Sequence, residues 1–166
     1  MNIFDPVIVW IHLLFSSIWV GGAVFLGIVL APFLKKTIPD ANQRVSFMVT
    51  VGRRFNYLGG SSLIILVITG IYNARTFFSQ PNLFLESNYG YILLTKIILV
   101  SIMFAIYVIH IKILNKNVEQ KIVEKDVPDE YFTILRKRII ILGRITVGLS
   151  ISILFLAALL DRGFSL

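Results

Sequence analysis

Four apolar runs divide the chain, over residues 6–34, 55–78, 89–114 and 139–160. A bilayer core of about 30 Å is crossed by ~20 helical residues, and each run reaches that length. The strict alternation of barrel strands is absent. The pattern therefore predicts an all-α, polytopic membrane protein: a four-transmembrane-helix bundle forming one domain over residues 1–166. Three polar segments connect the runs. Residues 35–54 read as a loop with Pro39, Asp40 and Asn42, and residues 79–88 as a short one with Pro81 and Asn82. Residues 116–138 form the longest connection, with mixed charges and room for an amphipathic helix. Within it, Pro128-Asp129-Glu130 reads as a helix start, because acidic groups suit the positive end of the helix dipole.

Composition sharpens this picture. Of 166 residues, 57% are hydrophobic and 15% charged, with a mean hydropathy of +0.84. Soluble domains average about 45–50% apolar and about 25% charged. A disordered chain, a coiled coil, a collagen-like repeat and an ordinary soluble enzyme are excluded. The absence of cysteine excludes disulfides, thiolate metal sites, iron–sulfur clusters and cysteine nucleophiles. Asp5 stands where a signal peptide carries positive charge, and the first run outlasts the ~7–15 residues of a cleavable apolar region.

The net charge of +7 is unevenly placed. Lys35, Lys36, Arg44, Arg53, Arg54, Lys112, Lys116, Lys121, Lys125, Arg136, Lys137 and Arg138 fall on one side, and Arg75 and Arg162 on the other. By the positive-inside rule the richer side is cytoplasmic, so both termini are expected outside. The expected location is the cytoplasmic (inner) membrane of a prokaryote. No basic stripe with interleaved aromatics lies outside the spans, so the charge reads as topology and contact with anionic lipid, with no nucleic acid as partner. Small residues at Ala23, Gly27 and Ala31, and at Gly59, Gly60, Ser61 and Ser62, suit close helix packing or a homo-oligomer.

Ionisable residues at membrane depth are costly and mark candidate sites. Four stand here: His12, Lys96, His110 and Arg144. With a rise of about 1.5 Å per residue, His12 lies roughly 9 Å and Lys96 roughly 10 Å from the outer side. The first and third spans run in the same direction, so these two can share a level. His110 lies about 21 Å beyond Lys96 and cannot meet His12 on one ion. Asn73 and Asp161 join the outer polar layer, and Asn56, His110 and Arg144 form an inner one. Lys96 and Arg144 can instead snorkel to headgroups, and His110 can be solvated near Lys112. His12, which follows Trp10, has no long stem to reach water.

The stretch Trp10-Ile-His12-Leu-Leu-Phe-Ser-Ser-Ile-Trp19-Val-Gly21-Gly22 resembles the first-helix motif of CopD-type membrane proteins. Gly70 in Thr69-Gly70-Ile71-Tyr72 is similar to the end of their second helix, and Tyr89-Gly90-Tyr91-Ile-Leu-Leu-Thr-Lys96 to the start of their third. That family is associated with copper resistance and uptake. The His-then-Lys arrangement also resembles the haem b-binding, HemJ-type protoporphyrinogen oxidases. In those, a first-helix His and a third-helix Lys matter for function, and His12 and Lys96 match these positions. Leu30-Ala31-Pro32 replaces the polar residues that family carries late in its first helix. This argues against protoporphyrinogen oxidation, though not against haem.

Ligand chemistry weighs the two metals. Copper(I) prefers soft ligands, and the chain offers three Met and two His at different levels. Haem needs one axial His, apolar walls and a basic partner for its propionates. The inventory favours haem b with His12 as axial ligand, Trp10, Phe15 and Trp19 as walls, Lys96 as second ligand or propionate partner, and Asn73 nearby. His110, with Arg144, would form a second site. The expected work is redox chemistry or electron transfer with a membrane partner, and membrane oxidoreductase catalysis stays open. Copper transport or resistance is the alternative, with Met103 as a step. A non-catalytic subunit of a membrane complex is the third.

Overall fold

The computed structural model describes residues 3–79, 82, 86–114, 118 and 129–161, and all of its regular structure is helical. Helix α1 spans Phe4–Thr37, α2 Ala41–Asn73, the short α3 Arg75–Ser79, α4 Asn88–Ile113 and α5 Asp129–Asp161. Four of these are long and apolar enough to cross a bilayer, as the sequence pattern predicts. The protein is a multi-pass membrane protein.

Helix α1 is not uniform. Phe25–Leu30 forms a π-helical turn, and the Ala31 amide bonds to the Leu26 carbonyl five residues back. Pro32 accounts for it. Proline has no N–H, and its ring collides with the carbonyl four residues earlier, so the ladder shifts register just ahead of it. The helix ends at Ile38, where Pro39 pushes the preceding residue into an extended conformation, φ −116° and ψ 107°. Arg44 Nη1 donates to the carbonyls of Ile38 (2.6 Å) and Pro39 (2.7 Å) and ties the corner.

The loop expected over residues 35–54 is corrected by the structure. It shrinks to residues 38–40, because Asp40 caps α2, its carboxylate accepting from the Asn42 amide at 3.0 Å. An apolar window stops at the membrane surface, whereas a helix does not. At about 1.5 Å per residue the 33 residues of α2 run about 50 Å. The polar turns from Ala41 therefore extend the helix beyond the hydrocarbon. Helix α5 does the same: it starts at Asp129, ten residues before the apolar run. Most of the segment in which an amphipathic helix was expected lies outside the described residues. Helix α4 follows its apolar run closely and is capped by Ser87, whose hydroxyl accepts from the Gly90 amide at 3.0 Å.

Helix α1 packs against α2 and α5, and α5 against α4. Two apolar clusters hold the bundle. The central one joins Trp19, Leu63 and Met103, flanked by Val20, Leu66, Tyr107, Leu149 and Ile153. The other, at the basic end, joins Val49 and Leu135 with Val45, Ile113, Leu114, Val118 and Ile139. Gly27 and Gly60 serve close packing between helices, as expected of the small residues. A Cβ at Gly27 would come 2.9 Å from the Val147 side chain of α5, and the Tyr107 hydroxyl fills the place a Cβ at Gly60 would need. At the opposite end, Arg75 Nη2 meets Asp5 Oδ1 at 2.7 Å, and the Tyr72 hydroxyl donates to the same oxygen at 3.0 Å. The guanidinium lies 4.0 Å over the Tyr72 ring. This clamp joins the ends of α1 and α2, though an exposed pair of this kind contributes only about 0–1 kcal/mol.

Candidate functional site

The central cluster sets a common level for the helices, and the site lies two turns outward from it. His12 precedes Trp19 by seven residues on α1, and Lys96 precedes Met103 by seven on α4. Both therefore sit about 10 Å from the cluster toward the Asp5 end. The helical rise thus brings His12 and Lys96 to one level. Lys96 is partly buried there on α4. Helix α2 contributes the third member. Thr69 is buried, and its Oγ1 lies 2.7 Å from His12 Nδ1. Gly70 backs the ring: a Cβ there would lie 3.5 Å from Cε1 of His12, an ordinary contact distance. Two helices so meet at one imidazole, and α4 brings Lys96 to the same level.

The other candidate residues are distributed differently. Phe15 lies one turn below His12 and is half-buried. Trp19 lies two turns along α1 from His12. It is buried in the central cluster, where its Nε1–H donates to Ser150 Oγ at 3.2 Å and Ser150 in turn meets Met103 Sδ at 3.7 Å. Its ring stands edge-on to Tyr107 at 5.5 Å and tilted to Phe55 at 6.4 Å. Asn73, one turn above Thr69, is exposed. His110 sits half-buried in the last turn of α4, and Arg144 faces outward from α5. Among the described residues there is no group of three or more His, Cys, Asp or Glu suited to a metal ion.

Two features escape a reading of the spans. Thr69 is visible in the sequence only as one hydroxyl among several on its span, and a match of depth with His12 is the signal that would single it out. The Asp5–Arg75–Tyr72 clamp joins residues about 70 apart in sequence, and nothing in the local pattern announces it.

Chemically, the arrangement offers one imidazole with one nitrogen engaged and one free, with a lysine at the same level, in a setting of low polarity. That can bind a metal or accept a proton, and it can neutralise an anion. Four helices long and apolar enough to cross a bilayer define a polytopic membrane protein. The family of copper resistance protein D (CopD) matches residues 49–160, and the chain belongs to that family. The match takes in α5 as well as α4 and most of α2, and leaves the first helix outside. An uncharacterized protein of Aquifex aeolicus (strain VF5) is 37% identical over 65 residues, which is 39% of this chain and 43% of that one. The match thus spans less than half the length of that relative. No solved structure matches the chain.

Proposed function

We propose that this chain handles copper in the membrane, with His12 Nε2 as the first protein ligand the ion meets. The observation that carries the reading is the His12–Thr69 contact, which occupies Nδ1 and leaves Nε2 available. Imidazole is an acceptable copper ligand, and the family to which the chain belongs is described by copper resistance. An ion in transit must leave as well as arrive, so a sparse ligand set suits cargo better than it suits a resident cofactor. Met103, about 10 Å further in, offers a thioether as the next soft donor.

Lys96 favours a second reading. Its amino group has no carboxylate partner among the described residues, and when protonated it opposes a cation at the level of His12. An anionic ligand would relieve it. Haem b fits the donor set: His12 would hold the iron and Lys96 a propionate. When bound, haem supplies one-electron redox chemistry. Protein purified in mild detergent separates the two. Copper by elemental analysis, without a Soret band, is the expected result. A Soret band weakened by Lys96→Met would transfer the site to haem. Neither copper uptake nor a Soret band would overturn both and leave the role of a non-catalytic subunit.

We assign both termini to the outside, in the cytoplasmic (inner) membrane of a prokaryote. The split of basic residues supports this. The chain has no cysteine, so single cysteines report cleanly. One at Asn82 should react with an impermeant reagent in intact cells, and one at Asn42 only after permeabilisation. The reverse pattern would invert the orientation, and with it the side from which His12 is reached.

A further inference from the structure

The proton on the His12 ring can be located from its surroundings. Thr69 Oγ1 lies 2.7 Å from His12 Nδ1 and also 2.7 Å from the carbonyl oxygen of Ile65, one turn back on α2. A threonine hydroxyl has one proton and two lone pairs, and a carbonyl can only accept. The Thr69 proton is therefore committed to Ile65. Its oxygen can satisfy the imidazole only by accepting, which requires that Nδ1 carry the ring proton. The opposite arrangement, with the hydroxyl donating to a bare Nδ1, would leave two oxygens at 2.7 Å with no proton between them.

We infer that Thr69 is a positioning residue: through the chain Nδ1–H to Thr69 to the Ile65 carbonyl it fixes one tautomer and one orientation of His12. Nε2 is then the lone-pair atom. A neutral imidazole binds metal through its unprotonated nitrogen, and a hydrogen bond from the other nitrogen sets both tautomer and ring orientation. Thr69 is held firmly enough for this work. It is buried, its side chain is β-branched and stiff about χ1, and its hydroxyl is anchored to its own helix. The functional consequence rests on the reading of His12 as a ligand. The tautomer does not, because it is a property of the metal-free protein.

The test reads the ring directly. In His110→Gln protein only one imidazole remains, so nitrogen-15 chemical shifts and two-bond couplings report on His12 alone. The expected signature without metal is the Nδ1–H tautomer. Thr69→Val should release it to a mixture, and Thr69→Ser, which keeps the hydroxyl, should restore it. Copper(I) affinity should fall about 10–100-fold in Thr69→Val, the usual effect of losing the partner of a ligating histidine, and return in Thr69→Ser. An Nε2–H tautomer in the otherwise native protein, or a tautomer unchanged by Thr69→Val, would overturn the inference. An Nδ1–H tautomer together with copper(I) binding that survives His12→Ala would keep the role of Thr69 and remove the metal reading.

Discussion

Purified His12→Ala protein is expected to retain no copper above background while reaching normal yield in the membrane. The two halves of this outcome have separate causes. Insertion depends on the apolar spans, and one partly buried imidazole hardly changes their hydropathy. Retention depends on the ligand, and no second histidine lies at that level. His110 is 14 residues beyond Lys96 on α4, about 21 Å further across the bilayer, so His110→Ala should leave copper content close to that of the native protein. Should His110→Ala empty the protein while His12→Ala does not, the site belongs to the other half of the membrane. Loss of copper in both would mean a path with two stations. Elemental analysis beside the absorbance spectrum reads all of these from one preparation.

The legible part of this protein is the part the bilayer dictates. Four runs of apolar residues give four spans, because lipid leaves an α-helix few alternatives. The common level of His12 and Lys96 follows from counting residues along two helices of the same direction. What the pattern hides lies where lipid no longer constrains the chain. Residues 41–54 read as a loop by hydropathy, yet fold as helix, since Asp40 caps it and Val45 and Val49 find the apolar face of α5 and the end of α4. The partner of His12 is hidden for another reason. Thr69 and His12 are 57 residues apart, and a threonine on an apolar helix commonly bonds only to its own backbone, as Ser62 does with Leu58. Trp19 shows the converse. Its aromatic ring suggests a cofactor wall, whereas its indole N–H finds Ser150 on α5 and draws the ring into the core.

That position of Trp19 sets the second large effect. Trp19→Ala should be among the most destabilising single changes in the bundle, by about 3 kcal/mol, the lower end of the range for emptying a packed aromatic site. The lower end applies because lipid surrounds the helices. Burial away from water then adds little, and the loss is one of packing contacts and of the cavity left among Leu63, Met103 and Tyr107. Trp19→Phe separates packing from hydrogen bonding. It keeps most of the ring and removes the N–H that reaches Ser150, and interhelical hydrogen bonds in membrane proteins average only about 0.6 kcal/mol, with a maximum near 1.7. Thermal unfolding in one detergent should therefore place Trp19→Phe much nearer the native protein than Trp19→Ala. If the two melt together, the bond to Ser150 and not the ring holds α1 to α5. The substitution also acts on the site. Trp19 anchors α1 two turns below His12, so the looser helix of Trp19→Ala should weaken copper retention as well, whereas Trp19→Phe should preserve it.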